Sequence, residues 1–324
     1  MVEISAQMPI PNVSASPTLP NQGQNPVAGD PSKTTGQIRA INAPFQITTL
    51  HKADRWLKMI LYGRHGAGKT ELAATAVDVP EMNEVLFISA ESGLMTVYDS
   101  PRVKAFEKIH NIPVTTFKQV AYIHEFLAAY CKARDAGNKA AMAKLYSQVT
   151  GIPVEELSDP PIFRTVVIDS LTELEAYCTY GILNIDANKV MRDGDMDVAG
   201  WPEFRKNNEM VKLLVRAFRD LPMHIIMTCA EQWTQDEQKR YHYTPALTGK
   251  LSAQVQGFVD IVGWITVGQL QEGQIEAPRR VYVQPLAAGP KFDAKNRRPV
   301  FRGAFFDNPS MGSIMKDIGM LKSS

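Results

Sequence analysis

The amino-acid sequence predicts an α/β fold in which a mainly parallel central sheet is flanked by helices and extended by antiparallel strands toward the C-terminus. From residue 46 onward, short apolar runs alternate with longer amphipathic stretches, the pattern of strands buried between layers of helices. A glycine loop separates the first apolar run from the first amphipathic stretch. The last three apolar runs follow one another with turn residues between them, which favours antiparallel pairing.

The individual elements follow from these runs in chain order. The predicted strands are Lys58–Tyr62, Val85–Ser89, Thr165–Asp169, His224–Cys229, Val259–Val267, Val281–Gln284 and Val300–Phe306. The predicted helices cover residues 69–77, Thr116–Ala136, Lys139–Val149, Leu171–Leu183 and Pro202–Leu221. The last of these places most of its apolar side chains on one stripe, which indicates a helix that packs on the core. Residues 231–250 are polar and are predicted to form a long loop.

Composition limits the class of protein. The chain has 324 residues, of which 44% are hydrophobic and 21% charged, and its formal net charge is +1. This charge excludes a histone-like polycation, so any contact with nucleic acid needs a local basic patch. Three dispersed cysteines indicate reduced thiols rather than a zinc site or a disulfide framework. Without a long apolar run or a secretory signal, we expect a cytoplasmic protein with no membrane partner.

The first 45 residues differ from the remainder. They hold seven of the 21 prolines and only four charged side chains, with no helical or alternating apolar pattern. This composition predicts a disordered proline-rich tail, and residues 46–324 are then one folded domain. A linker, an arm that binds a partner and an arm that inserts into a neighbouring subunit all fit the tail.

The glycine loop carries the strongest functional signal. It matches G-x-x-x-x-G-K-[ST] at every fixed position, and its residues are Gly63, Arg64, His65, Gly66, Ala67, Gly68, Lys69 and Thr70. Backbone N–H groups of such a loop bind phosphates. We expect Lys69 to reach the β- and γ-phosphates of a nucleoside triphosphate, and the Thr70 hydroxyl to bind Mg²⁺. His65 occupies a variable position and receives no separate role.

Two carboxylates complete the predicted catalytic site. Asp169 ends the apolar run Thr165–Asp169, where a carboxylate can hold Mg²⁺ opposite Thr70. Glu91 follows the run Val85–Ser89 and is therefore expected at the same carboxyl edge of the sheet. It is the candidate base that positions the attacking water.

Three segments, GRHGAGKT, FISAESGL and VVIDSLTEL, together resemble the RecA-like ATPase core over most of residues 46–306. More narrowly, the chain resembles phage-encoded RecA-like proteins that act as single-strand annealing ATPases. The resemblance implies ATP and Mg²⁺ as cofactors, with Lys69, Thr70, Glu91 and Asp169 in the roles given above. It also implies single-stranded DNA as a partner, self-association into a ring or filament, and the host cytoplasm as the location. A single-strand-binding protein is a further candidate partner.

The resemblance also points to a catalytic pair near the C-terminus. Lys295 and Arg297 match a K-x-R that hexameric relatives extend across a subunit interface to the neighbour's γ-phosphate. Around this pair, residues 279–302 hold seven basic residues against one aspartate. A basic hairpin turn without a catalytic role, or a surface for nucleic acid, would explain the same segment.

The polar segment 231–250 is the candidate DNA contact. Aromatic rings can stack on bases while cations meet phosphates, and the residues that supply both are Trp233, Lys239, Arg240, Tyr241, Tyr243 and Lys250. Acidic neighbours offset this charge, and aromatic rings beside a loop also cap cores. One departure from the superfamily is Ala230, which stands where a polar sensor residue is usual. Glu231 or Gln232 could sense nucleotide from a shifted position.

These observations predict a Mg²⁺-dependent ATPase that binds single-stranded DNA and assists annealing or recombination in phage DNA metabolism. Two alternatives fit the same sequence. The first is a helicase-like nucleic-acid motor. The second is an assembly factor in which bound nucleotide only sets the oligomeric state.

Overall fold

A computed structural model shows how these elements assemble. It describes residues 56–91, 93–187, 189, 198–235, 237–270 and 277–321, all of which fall within the unit Ala53–Ser324. The predicted tail, residues 1–45, lies outside the described residues, so its character stays a prediction.

The helices and strands follow in chain order. They are β1 Lys58–Gly63, α1 Lys69–Ala74, β2 Val85–Ser89, α2 Met95–Tyr98, β3 Ile109–Pro113, α3 Phe117–Asp135, α4 Lys139–Thr150, β4 Thr165–Asp169, α5 Leu171–Ile182, α6 Trp201–Arg219, β5 His224–Gln235, β6 Tyr241–Pro245, α7 Leu251–Gln256, β7 Ile261–Val267, β8 Arg279–Tyr282, β9 Lys291–Phe292, β10 Lys295–Asn296, β11 Phe305–Asp307 and α8 Met311–Asp317.

The central sheet has the strand order β11-β8-β7-β1-β5-β4-β2-β3. All pairings from β7 to β3 along this order are parallel. β8 and β11 add antiparallel strands beyond β7. The predicted fold class, a mainly parallel sheet with antiparallel C-terminal strands, is confirmed.

Helices cover both faces of this sheet. Strand β1 contributes side chains to the core on both faces. Ile60 and Tyr62 pack in one buried cluster, and Met59 and Leu61 pack in the other. Successive side chains of a strand point to opposite faces, so a strand buried on both sides needs an uninterrupted apolar run. This explains why β1, β2 and β4 are clear in the sequence.

The segment after β5 corrects one prediction. Residues 231–250 do not form a long loop, because β5 continues to Gln235 and pairs antiparallel with β6, with Trp233 opposite Tyr243. This hairpin (231–245, excluding 236, which lies outside the described residues) is polar and largely exposed. The apolar alternation that marks a half-buried strand is therefore absent from its sequence.

The last predicted strand is also shorter than expected. It is limited to Phe305–Asp307, and Val300 before it is exposed. No helix among the described residues is long and apolar enough to cross a membrane.

A buried histidine makes stability depend on pH. His224, 3% exposed, begins β5, and its Nδ1 accepts a hydrogen bond from the Leu57 N–H at 3.0 Å. Burial, assisted by the Lys58 charge, lowers the His224 pKa from 6.5 to about 4. Between these two values the unfolded chain takes up a proton that the native chain does not. We expect the free energy of unfolding to fall by about 3 kcal/mol as pH falls from 6.5 to 4.

Urea titrations at about pH 7 and about pH 4.5 measure this loss. His224→Gln should reduce the difference between the two pH values, whereas His65→Gln, at an exposed loop position, should leave it unchanged. An equal pH dependence in wild type and His224→Gln would contradict the assignment. The test compares the change in unfolding free energy between the two pH values. A loss of stability that is equal at both pH values therefore does not obscure the result.

Candidate functional site

The glycine loop connects β1 to α1 at the carboxyl edge of the sheet. Gly63 lies so close to β7 that a side chain there would collide with the Ile265 carbonyl oxygen. Gly66 and Gly68 have φ angles of +76° and +88°, in the left-handed region that favours glycine. The spacing of the glycines therefore matches the backbone that the loop adopts.

Lys69 lies inside this loop rather than in solvent. Its Nζ donates hydrogen bonds to the carbonyl oxygens of Gly63 and Arg64, at 2.9 and 3.0 Å. Burial lowers the Lys69 pKa, and the nearby Glu91 and Asp169 carboxylates oppose that effect. The ammonium group is thus held by the loop carbonyls and feels the charge of two carboxylates. A phosphate oxygen could replace the loop carbonyls as its acceptor.

Thr70 and Asp169 meet across the site. The Thr70 hydroxyl donates to Asp169 Oδ2 at 2.9 Å, and the Thr228 hydroxyl of β5 donates to Asp169 Oδ1. Asp169 is 1% exposed; burial raises its pKa, and the hydrogen bonds from Thr228 and Thr70 oppose this shift. Mg²⁺ prefers oxygen ligands and takes only one or two from the protein in phosphate-transfer sites. Thr70 and Asp169 fit this ion.

Glu91 faces the same edge of the sheet. Its carboxylate accepts a hydrogen bond from the Ser170 hydroxyl, and its backbone N–H donates to the Asp169 carbonyl at 3.2 Å. Ser170 also caps α5 by accepting the Glu173 N–H. The structure therefore brings Lys69, Thr70, Asp169 and Glu91 together, as the sequence predicts. Their chemical roles stay predictions.

Residues after Ala230 connect the glycine loop to the hairpin. Glu231 accepts hydrogen bonds from Arg64 Nε at 3.0 Å and from Trp264 Nε1 at 2.9 Å. The Gln232 amide instead donates to the Pro245 and Leu247 carbonyls. Glu231 thus contacts the phosphate loop while Gln232 contacts the hairpin and the segment that follows it. Both positions are compatible with the sensor role, which is still a hypothesis.

A family model described as AAA domain matches residues 55–298. The chain belongs to the AAA domain family. The matched region contains the glycine loop, Glu91 and Asp169, so this AAA domain is a P-loop ATPase domain and its substrate is a nucleotide.

Other comparisons add little to the family match. A search of solved structures finds the flagellar accessory protein FlaH from Methanocaldococcus jannaschii, which is 11% identical. The match covers 78% of this chain and 84% of that chain, with a TM-score of 0.36. No curated protein matches the sequence of the chain.

Lys295 and Arg297 of the AAA domain contact their own chain. Lys295 Nζ donates to the carbonyl oxygens of Gln256 and Val259, at 2.6 and 2.7 Å, and Arg297 donates to the Gly257 carbonyl. They hold the end of α7 and the turn after it. Action on a neighbouring subunit stays a prediction, and it would require these side chains to leave those carbonyls.

The basic segment 279–302 does not form one charged surface. Arg280 pairs with Asp307, Arg298 pairs with Asp260, and Arg279 pairs with Glu71. Arg279 and Arg280 lie on β8, whereas Arg298 follows β10. Each of the three is paired with an acidic residue outside the segment, so much of the segment's charge is balanced within the chain.

The candidate DNA residues divide into two groups. Trp233 and Tyr241 are exposed by 57% and 46%, and their rings are 5.0 Å apart; Lys239 and Arg240 lie on the same hairpin. Tyr243 instead stacks on Trp264 at 5.1 Å and belongs to the core. Lys250 precedes α7 and lines a groove with Trp201 and Phe204 of α6.

Some residues of the site were not predicted from the sequence. Thr228 lies within the apolar run of β5, where only the strand order reveals that it faces Asp169. Ser170 follows Asp169 directly, and a serine before an amphipathic stretch could have been recognised as an N-cap. Arg279 approaches the glycine loop from β8, and no local signal in the sequence indicates this contact.

Proposed function

We propose that this AAA domain is a Mg²⁺-dependent ATPase that binds single-stranded DNA and assists strand annealing or recombination in phage DNA metabolism. The observation that carries the DNA contact is the exposed aromatic pair on the hairpin. Trp233 and Tyr241 lie beyond the end of the parallel part of β5, which passes between β1 and β4. The proposed surface for bases would therefore lie on the hairpin that extends β5, the strand that supplies Thr228 to the candidate nucleotide site.

Charge at the hairpin supports this proposal. Glu231, one of the acidic residues that offset the basic charge in the sequence, is turned inward to Arg64 and Trp264. Lys239 and Arg240 remain exposed. Aromatic stacking contributes about 1–3 kcal/mol per base, and adjacent cations bind the phosphates. The groove lined by Trp201, Arg205 and Lys250 offers a second surface of the same chemistry.

The catalytic residues would act mainly by positioning and by charge. Lys69 would bind the β- and γ-phosphates, and Thr70 with Asp169 would hold Mg²⁺. When bound, the ion neutralises charge that develops on the phosphates. Glu91 would orient the attacking water and accept its proton. Lys295 and Arg297 of a neighbouring subunit would make hydrolysis depend on assembly into a ring or filament.

The double substitution Trp233→Ala/Tyr241→Ala tests the DNA contact. We expect its affinity for a fluorescently labelled oligothymidylate to fall by about 10- to 100-fold at constant salt, because two stacking platforms are lost. Fluorescence anisotropy measures this affinity. Tyr122→Ala, at an exposed tyrosine of α3, is the matched control and should bind like wild type. Equal affinity in wild type and the double variant would contradict the proposed surface.

A forked duplex separates annealing from a motor activity. The annealing proposal predicts faster pairing of complementary strands and an intact fork in the presence of ATP. Unwinding of the fork would favour the helicase-like alternative. Nucleotide-dependent assembly without any binding to DNA would favour the assembly factor.

A further inference from the structure

Arg279 reaches from the start of β8 to the phosphate loop. A Cβ built on Gly68 would lie 2.9 Å from both Cζ and Nη1 of Arg279, so the guanidinium packs directly on this glycine. The backbone of Arg279 is fixed at both polar groups: its N–H donates to Asn308 Oδ1, and its carbonyl accepts the Asn308 N–H, each at 2.7 Å. The side chain is therefore presented to the loop by a fixed strand.

The guanidinium is held by a carboxylate. Arg279 Nη1 is buried and forms an ion pair with Glu71 Oε2. An arginine fork matches two oxygens of a phosphate as well as those of a carboxylate. The guanidinium is therefore positioned to exchange this carboxylate for an anionic oxygen that enters the loop.

Glu71 lies between two arginines. Besides Arg279, it accepts a hydrogen bond from the Ser100 hydroxyl at 2.5 Å and contacts Arg102 Nη1 at 3.4 Å. The side chains of Glu71, Arg102 and Arg279 are all largely buried. These two cations and one anion form a cluster of net positive charge, and Arg279 is its member that packs on Gly68. If Arg279 turned to a ligand, Arg102 and Ser100 would still hold Glu71.

The strand order indicates which part of a bound nucleotide would lie beside Arg279. Asp169 ends β4, two strands from β1 on one side, whereas Arg279 begins β8, two strands from β1 on the other. Asp169, Thr70 and Glu91 mark the side for the γ-phosphate and the metal, and Lys69 serves the β- and γ-phosphates. The phosphate that remains for the β8 side is the α-phosphate.

We propose that Arg279 binds the α-phosphate of the nucleotide and that Glu71 competes with this phosphate for the guanidinium. The inference rests on the nucleotide site of the proposed function and adds a binding residue from outside the glycine loop. A glycine is then required at position 68 for two reasons. Its φ angle favours glycine, and a side chain would occupy the space that Arg279 fills.

Binding of ADP without hydrolysis tests the assignment. We expect Arg279→Ala to weaken ADP binding in isothermal titration calorimetry by about 10- to 100-fold, since a charge-assisted hydrogen bond is lost. Arg280→Ala is the matched control: Arg280 is the next residue of β8, is exposed, and pairs with Asp307 while covering Phe305. Its affinity for ADP should stay within about twofold of wild type.

Glu71→Gln separates a binding role of Arg279 from a structural one. In our proposal the glutamine releases Arg279 and removes a negative charge near the phosphates, so ADP should bind several-fold more tightly. If Arg279 only anchored Glu71, both substitutions would change ADP affinity in the same direction or leave it unchanged. Opposite effects support the proposal, and any other combination overturns it.

The same titrations distinguish failure of this inference from failure of the proposed function. Absence of ADP binding by wild type would refute the nucleotide site itself. Normal ADP binding by Arg279→Ala, with wild type also binding, would refute only the α-phosphate contact. If Arg279→Ala does not fold, Arg279→Lys and Glu71→Gln decide: the lysine should weaken ADP binding because it lacks the fork, and unchanged affinity would overturn the assignment.

Discussion

Lys69→Ala is expected to lose at least about 100-fold in ATP affinity and to have no detectable ATPase activity. The ammonium group is buried within the glycine loop, where it donates hydrogen bonds to two loop carbonyls and interacts electrostatically with the Glu91 and Asp169 carboxylates. Alanine leaves the triphosphate without this partner. Calorimetric titration with a non-hydrolysable ATP analogue measures the affinity, and release of inorganic phosphate measures the activity.

Two variants control for indirect effects of this substitution. Lys144→Ala, at an exposed lysine of α4, should match wild type in both measurements. Lys69→Met retains the aliphatic length without the charge and should fail like alanine, which separates loss of charge from loss of packing. ATP hydrolysis by Lys69→Ala at the wild-type rate would contradict the role assigned to Lys69.

Glu91→Gln is expected to separate binding from hydrolysis. Removal of a general base typically costs about 10²- to 10⁴-fold in rate, whereas the glutamine can still accept the hydrogen bond that Ser170 donates to Glu91. We therefore predict ATP affinity within about twofold of wild type and a hydrolysis rate at least about 100-fold lower. Single-turnover phosphate release with saturating protein measures the chemical step directly.

Glu107→Gln is the matched control for this substitution. Glu107 lines the same cavity as Glu91, but it belongs to a different segment of the chain and has no predicted catalytic role. Its rate should equal that of wild type. A Glu91→Gln variant that hydrolyses ATP normally would remove Glu91 from the mechanism, while equal loss in both variants would point to a general effect of charge in the cavity.

Burial decided which strands could be predicted. The bounds of β2 and β4 agree with the sequence prediction, because every side chain of these strands is buried and their apolar runs are uninterrupted. β3 is a partly exposed edge strand, Ile109–Pro113, that contains His110 and Asn111. It is formed through pairing with β2, so its structure depends on a tertiary contact rather than on a local pattern.

The candidate site also contains some residues that the sequence predicts and others that it does not. Lys69, Thr70, Glu91 and Asp169 follow the ends of predicted strands and are found together. Thr228 and Arg279 reach the site from β5 and β8, and their contacts depend on strand order, which one sequence does not specify. For the hairpin, the sequence identifies the aromatic residues. It does not indicate that Trp233 and Tyr241 are exposed whereas Tyr243 packs in the core, because this difference arises from the pairing of β5 with β6.

The central claim, that the glycine loop and its carboxylates form a DNA-responsive ATPase, is tested most directly by the rate of phosphate release from ATP. Wild-type protein would be assayed with Mg²⁺ or EDTA, with and without single-stranded DNA, over a range of protein concentrations. We predict hydrolysis that requires Mg²⁺, increases with DNA, and rises per subunit with concentration because a neighbour supplies Lys295 and Arg297. The absence of hydrolysis in every condition, or a rate that Lys69→Ala does not reduce, would contradict the account.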